Sequence, residues 1–256
     1  MNLEKYQQYS RIARGLEKAD LVLKNARIVN VFTEEIIRGD IAIQDGIIAG
    51  IGSFHGKEER DLAGRYVCPG FIDSHLHLES TLVTPAELVT AASRHGTTTF
   101  IVDPHESANV SGLAGIDYIL DQTEDVKANV YVMMPSCVPA TSIDDNGCTL
   151  TAEEMAPYLH NNRILGLGEV MDSISVVQGD KTMHDKLELF EGRIRDGHAP
   201  FLEEGDLQAY AMAGIATDHE CSFFDYAMRE RRNGLTILVR EGSAARNLEA
   251  LVGGLV

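Results

Sequence analysis

From Tyr66 onward the chain alternates short apolar runs with longer stretches of mixed polarity. The runs at 67–75, 97–103, 129–134, 164–170, about 194–198, 214–218 and 235–240 are of strand length and bounded by Gly, Pro, Asn or Asp. Segments with helical spacing lie between most of them, such as Pro85 to Arg94 and Thr151 to Leu159. This rhythm predicts parallel strands joined by crossover helices. A doubly wound sheet would more often carry a Gly-rich phosphate turn after its first strand, and none is present. The expected fold is therefore α/β, a (β/α)8 TIM-type barrel. It is incomplete at its C-terminus, since Gly253-Gly254-Leu255-Val256 arrives before an eighth strand. Ahead of it, residues 4–18 read as a moderately amphipathic helix. Residues 19–31 and 39–52 read as alternating β runs with a hairpin marker at Asp45-Gly46. Residues 1–66 thus form a helix and small β unit, and 67–256 the barrel.

The polar residues at the strand ends carry the chemistry. In Pro69-Gly70-Phe71-Ile72-Asp73-Ser74-His75-Leu76-His77-Leu78-Glu79, His75 and His77 project from one face of a strand. Roughly 6.5–7 Å of strand rise separates them, close enough to converge on one divalent ion. A lone His would read as an ordinary polar residue near a strand end. Later strands, however, deliver Asp103-Pro104-His105-Glu106, Glu169, Asp196-Gly197-His198 and Asp218-His219-Glu220 at the same end. Satisfied core polars would scatter along the strands; a cluster at one rim reads as a site. His198 and His219 suit a second ion or share the first, and Glu169 suits a bridge between two, since its charge would be costly to bury alone. His105 and Glu106 bind substrate, support the ligands or cap the following helix; Glu79 and Asp218 are read as substrate contacts or supports. Bland readings fit other features. Asp144-Asp145-Asn146-Gly147 is a polar turn, Ser243 caps a helix over 244–249, and Cys137 is a buried thiol without an activating base.

Composition narrows the partners. With 256 residues and 44% hydrophobic content the chain can bury a sizeable core. Its formal net charge of −17 repels phosphate backbones, which argues against a nucleic-acid polymer as substrate and leaves a small molecule. No run reaches membrane-spanning length, and the first residues lack the apolar core of a signal peptide. The four cysteines are widely spaced without a CxxC pair, as in a cytoplasmic protein with reduced thiols.

The first-strand stretch ending His75-Leu76-His77 resembles the motif of the amidohydrolase superfamily. Together with Val102-Asp103-Pro104-His105-Glu106, Met134-Pro135-Ser136-Cys137-Val138-Pro139, Gly166-Leu167-Gly168-Glu169, Asp196-Gly197-His198-Ala199-Pro200 and Asp218-His219-Glu220, it resembles the adenine deaminases of bacteria and archaea. The resemblance covers the chain from about Ala19. It implies a divalent metal site, usually manganese or iron with zinc as a further option, in a barrel attached to a β-sandwich begun near residue 20. It implies His75, His77, His198 and His219 as ligands, with Glu169 where many superfamily members carry a carboxylated lysine. The implied reaction is hydrolysis of free adenine to hypoxanthine and ammonia in purine salvage, with a homodimer as a family-level expectation. Glu220 and Glu106 are the carboxylates expected to handle protons. The superfamily adds an aspartate on the eighth strand; this chain is expected to be the N-terminal part of such an enzyme. Rival readings are an amidohydrolase acting on a cyclic amide or N-acyl substrate, and a non-catalytic metal-binding fragment.

Overall fold

The computed structural model describes residues 1–141 and 143–254. The chain divides into two compact units, Met1–Gly70 and Phe71–Val256. The division falls just past the change of rhythm at Tyr66, because Tyr66–Val67 pairs with a strand of the first unit.

In that unit a helix runs from Leu3 to Ala13, and Asn2 caps it by accepting from the Lys5 N–H at 2.9 Å. It ends earlier than its apolar spacing predicts, at Gly15, whose φ of +71° suits a helix exit. A long strand β1 (Ala19–Asn30) pairs antiparallel with β2 (Glu35–Gln44), which turns back into β3 (Ile47–Gly52). The two-residue turn places Asp45 and Gly46 at positive φ, +49° and +75°, as a tight hairpin demands. Two strands, β4 (Gly56–Asp61) and β5 (Tyr66–Val67), run parallel to β1. β4 has no apolar alternation to announce it. Its Lys-Glu-Glu-Arg sequence marks an edge strand, held by backbone pairing and kept from further pairing by charge.

In the second unit β6 (Phe71–Leu76), β7 (Thr97–Val102), β8 (Asn129–Met134), β9 (Ile164–Val170) and β10 (Ile194–Gly197) form one parallel sheet in chain order. A short parallel pair follows, β11 (Thr217–Asp218) and β12 (Thr236–Ile237). Single bonds continue the order across the gap: Ala216 donates to the Arg195 carbonyl at 3.0 Å and Thr236 to that of Ala216 at 2.8 Å. Seven parallel strands in sequence, with helices between, make an open portion of an α/β barrel. Tight strand approach explains two of the glycines in this run. A Cβ at Gly166 would lie 2.1 Å from the Ile194 carbonyl oxygen, and one at Gly197 2.1 Å from that of Thr217.

The core lies between sheet and helices. Phe100, Val102, Val132, Met134 and Leu167 face Ile116, Ile119, Leu187 and Tyr210. Two local expectations change. Over 151–159, a capping box of Thr151 and Glu154 starts a helix that runs only to Met155. It tightens to 3-10 over Ala156–His160, because Pro157 lacks the N–H that continuation needs. Ser243 caps no helix: Glu241 and Arg246 form an isolated bridge around a turn, and the helix begins only at Leu248. Among the described residues no helix is long and apolar enough to cross a membrane.

Phe100 is 1% exposed at the middle of β7, between β6 and β8. Phe100→Ala is expected to destabilise the second unit by about 3–5 kcal/mol, read as a lowered denaturant midpoint.

Candidate metal centre

Parallel strands deliver their C-terminal ends to one rim, so residues far apart in sequence meet there. His75 leaves β6 and His77 follows it; Glu169 lies near the end of β9; His198 and His219 follow β10 and β11. All five come together. Nε2 of His75 and Nε2 of His77 are 3.2 Å apart, and Glu169 Oε1 lies 2.8 Å from the first and 2.9 Å from the second. The other oxygen of Glu169, Oε2, is 3.1 Å from His198 Nδ1, while His219 Nε2 lies 3.7 Å from Oε1. One carboxylate thus presents one oxygen to the His75–His77 pair and the other to His198.

The second nitrogen of each ring in the pair is held from outside. His75 Nδ1 meets Asp196 Oδ2 at 2.8 Å, and His77 Nδ1 meets the Asp103 carbonyl oxygen at 2.8 Å. With Nδ1 donating in both rings, the Nε2 lone pairs point inward as ligand atoms. Glu169 is fixed through its backbone: its N–H donates to Asp103 Oδ2 at 2.7 Å, and its carbonyl accepts from the Ser136 hydroxyl. Gly168 leaves room for that Asp103 carboxylate, since a Cβ there would lie 2.3 Å from Oδ2.

Electrostatics follow from the crowding. Burial opposes a charge on Glu169, but His198, His75 and His77 outweigh it and hold the carboxyl well below its ordinary range. Burial likewise opposes protonation of His75 and His77, yet carboxylate partners win. Asp196 and Glu169 raise His75 to about 10, and Glu169 raises His77 to about 9. His219 goes the other way, to about 3, because burial and the neighbouring His75 both disfavour its charge.

The donor set fits a divalent cation. Donors bound at about 2.0–2.2 Å to one ion lie roughly 3 Å from one another, which matches the His75–His77–Glu169 triangle. Among the described residues Glu169 Oε1 has no hydrogen-bond partner though it is buried, as a donor atom awaiting an ion would be. Four donor triads overlap here: His75, His77 and Glu169; Glu169, His198 and His219; His75, Asp196 and His219; Asp103, His105 and Glu169. Their sharing of Glu169 and of His75 suits two ions as readily as one.

The remaining candidates sit around this group. Glu220 Oε1 is 3.8 Å from His219 Nε2 and 3.9 Å from His198 Nδ1, and Arg240 grips the carboxylate with both guanidinium nitrogens, at 2.5 and 3.3 Å. His105 stacks edge-on to His77 with centroids 4.7 Å apart, and its Nδ1 lies 3.6 Å from Asp103 Oδ1. Asp218 is fully buried and accepts from the backbone N–H of Ala199, Glu220 and Cys221, which ties the turn after His198 to the turn after His219. Glu79 accepts from the N–H groups of Glu106 and Ser107 at the start of the helix His105–Ser111, and burial raises its pKa. Glu106 is exposed and hydrogen-bonded to Ser80; the structure does not bring it against the histidines. Sequence reading gave no role to Asp196, Asp103 or Arg240. Asp196 meets a histidine 121 positions away, a pairing no local spacing reveals; the one signal was its place two residues before His198.

Comparison with known proteins places this geometry. The model of the amidohydrolase family matches residues 66–246. An adenine deaminase of Desulfitobacterium hafniense is 57% identical over 255 residues, covering all of this chain and 45% of that protein. An adenine deaminase of Clostridium acetobutylicum is 49% identical over 95% of this chain and 43% of its own length. The chain therefore spans a little under half the length of these curated relatives. Among solved structures, the 5-methylcytosine deaminase of Klebsiella pneumoniae superposes with a TM-score of 0.56 at 16% identity, covering 91% of this chain and 71% of that one, a likeness of fold.

Asp196→Asn keeps the shape at His75 but weakens the acceptor that orients the ring. Cation affinity is expected to fall about 10–100-fold, read by titration of the metal-stripped protein, with the thermal midpoint of that stripped protein little changed. The motif order, the strand-end histidines and the match over residues 66–246 together establish that this chain belongs to the amidohydrolase family.

Proposed function

We propose that this chain carries the metal centre of an adenine deaminase, an enzyme that hydrolyses free adenine to hypoxanthine and ammonia in purine salvage. The observation that carries the reading is the convergence of four imidazoles on Glu169 at one rim of parallel strands. Its support is a 57% identical relative, named adenine deaminase, that aligns along the whole chain.

In this reading His75, His77, His198, His219 and Glu169 would hold one or two divalent cations. Imidazole and carboxylate donors suit manganese, iron or zinc. A cation so held supplies Lewis acidity, which lets water act as a nucleophile near neutral pH. The rest falls to side chains. Glu220, gripped by Arg240 and open to the rim, takes the proton that the attacking water loses and passes it to the ring nitrogen, then carries the second proton, from the new hydroxyl, to the amine that departs as ammonia. Glu106 is the less favoured proton carrier, since it faces Ser80. His105, Glu79 and Asp218 support the ligands: His105 packs on His77, Glu79 starts the helix that carries His105, and Asp218 joins two ligand turns. The reading places the protein in the cytoplasm with a small-molecule substrate, as a homodimer.

One fact favours a second reading. The chain spans 45% of its relative, so it can hold the cation while turnover needs residues outside this span. The direct test measures ammonia release from adenine, with cyclic amides and N-acyl amino acids as controls. It uses the chain loaded with manganese or ferrous iron beside the same chain extended to the relatives' full length. Release from adenine by either protein supports the deaminase. Release only from a control substrate, or from none by both metal-loaded proteins, overturns it.

His75→Ala and His77→Ala are each expected to lower bound manganese at least tenfold, measured by elemental analysis, and to abolish any turnover. The pH dependence of binding has a definite sign. Asp196 and Glu169 keep a proton on His75 up to about 10 and Glu169 one on His77 up to about 9, and an incoming cation must displace them. Cation affinity is therefore expected to rise with pH through neutrality and level off above about 9–10, with proton release seen in weakly buffered calorimetry.

A further inference from the structure

Behind the turn that carries His219 lies a second group of donors, of which the deaminase reading uses only Asp218, and that as a support. Asp218, Cys221 and Glu230 each offer an atom, and the three atoms lie within 4.8 Å of one another. All three residues are buried, and Asp218 and Glu230 are 0% exposed. Glu230 comes from the helix Phe224–Arg232, whereas Asp218 and Cys221 flank His219. Among the described residues neither oxygen of Glu230 meets a fixed donor, and the groups it faces are the Asp218 carboxylate and the Cys221 thiol. Three acidic groups at one enclosed point cannot all ionise together, and a divalent cation is the group that would let them.

We propose that Asp218, Cys221 and Glu230 form a separate, closed site for a single divalent cation of thiolate-binding character, such as zinc. The donors are one sulfur and two carboxylates, a set closer to structural zinc sites than the all-imidazole and carboxylate centre at the rim. Asp218 accepts three backbone N–H groups and still has lone pairs to give, so it orients the site without being consumed by its own hydrogen bonds. The charge balances on binding: the divalent cation takes the place of two protons, that of the Cys221 thiol and that of the Glu230 carboxyl, both of which leave to solvent. The ion would then cross-link the His219 turn to the helix beneath it.

Cobalt(II) separates this site from the histidine centre, because only a thiolate ligand gives an intense sulfur-to-cobalt charge-transfer band in the near ultraviolet. The metal-stripped chain titrated with cobalt is expected to develop that band with one ion bound. The band should persist in His75→Ala/His77→Ala and in Cys68→Ser/Cys148→Ser, vanish in Cys221→Ser, and need about tenfold or more cobalt in Glu230→Gln. Should Cys221→Ser fail to fold, Glu230→Gln, nearly equal in shape, decides the matter. A folded wild-type chain without the band at saturating cobalt, a band that survives Cys221→Ser, or a band indifferent to Glu230→Gln overturns the proposal. The double histidine variant keeps this outcome independent of the deaminase reading.

Discussion

The burial of the Glu169 carboxylate is the constraint around which the second unit is built. It sits 3% exposed in the floor of the rim, where an isolated charge would cost several kcal/mol. Four imidazoles face it, but the rings relieve that cost only when they are protonated to imidazolium or share a cation with it. The high pKa of His75 and His77 and the low pKa of His219 are two responses to the same field. Rings pressed on a carboxylate take protons; a ring pressed on another ring, away from water, gives them up. A cation satisfies all of them at once, and this is the physical sense in which the centre fits a metal.

Holding such a group together needs a scaffold that does not give. Asp103 and Ser136 pin the Glu169 backbone from both sides. Tyr210 donates to the Val170 carbonyl and accepts from the His198 N–H, so the strand with Glu169 and the turn with His198 move together. Asp218 extends the linkage to the turn with His219. Each tie joins neighbouring strand ends through a buried side chain, where a hydrogen bond cannot be exchanged for water without loss. The glycines at 166, 168 and 197 serve the same end by letting backbone and carboxylate approach closely.

Much of this was legible in the sequence, and the limits have physical causes. The seven strands of the second unit could be placed because buried parallel strands are short apolar runs between turn residues. The histidines and Glu169 could be grouped because a barrel gathers its strand ends, so rhythm alone brings them together. β4 escaped because an edge strand needs no apolar face. Pro157 cut short a helix whose apolar spacing ran on past it. Ser243 misled because a good capping residue says nothing about whether a helix follows. Asp196, Asp103 and Arg240 act through pairings across 121, 66 and 20 positions, which periodicity cannot encode. Glu230 was the deepest omission: on sequence it is one more acidic residue in a charged helix, and only its packing shows that it faces inward.

The placement of thiols bears on which ions the molecule can sort. Cys137 lies beside Ser136, close behind Glu169, yet burial pushes its pKa up and Asp172 N–H and the Ser136 hydroxyl already occupy its sulfur. It stays a thiol and leaves the rim to imidazole and carboxylate donors, which are indifferent among manganese, iron and zinc. Cys221 is also buried, but its neighbours are acids rather than donors of hydrogen bonds to its sulfur, and a cation there would meet a soft ligand. The short stretch from Asp218 to Cys221 thus contributes His219 to a borderline centre and a thiol to a softer one. Ligand type, rather than affinity alone, would then keep two kinds of ion apart within a few residues of chain.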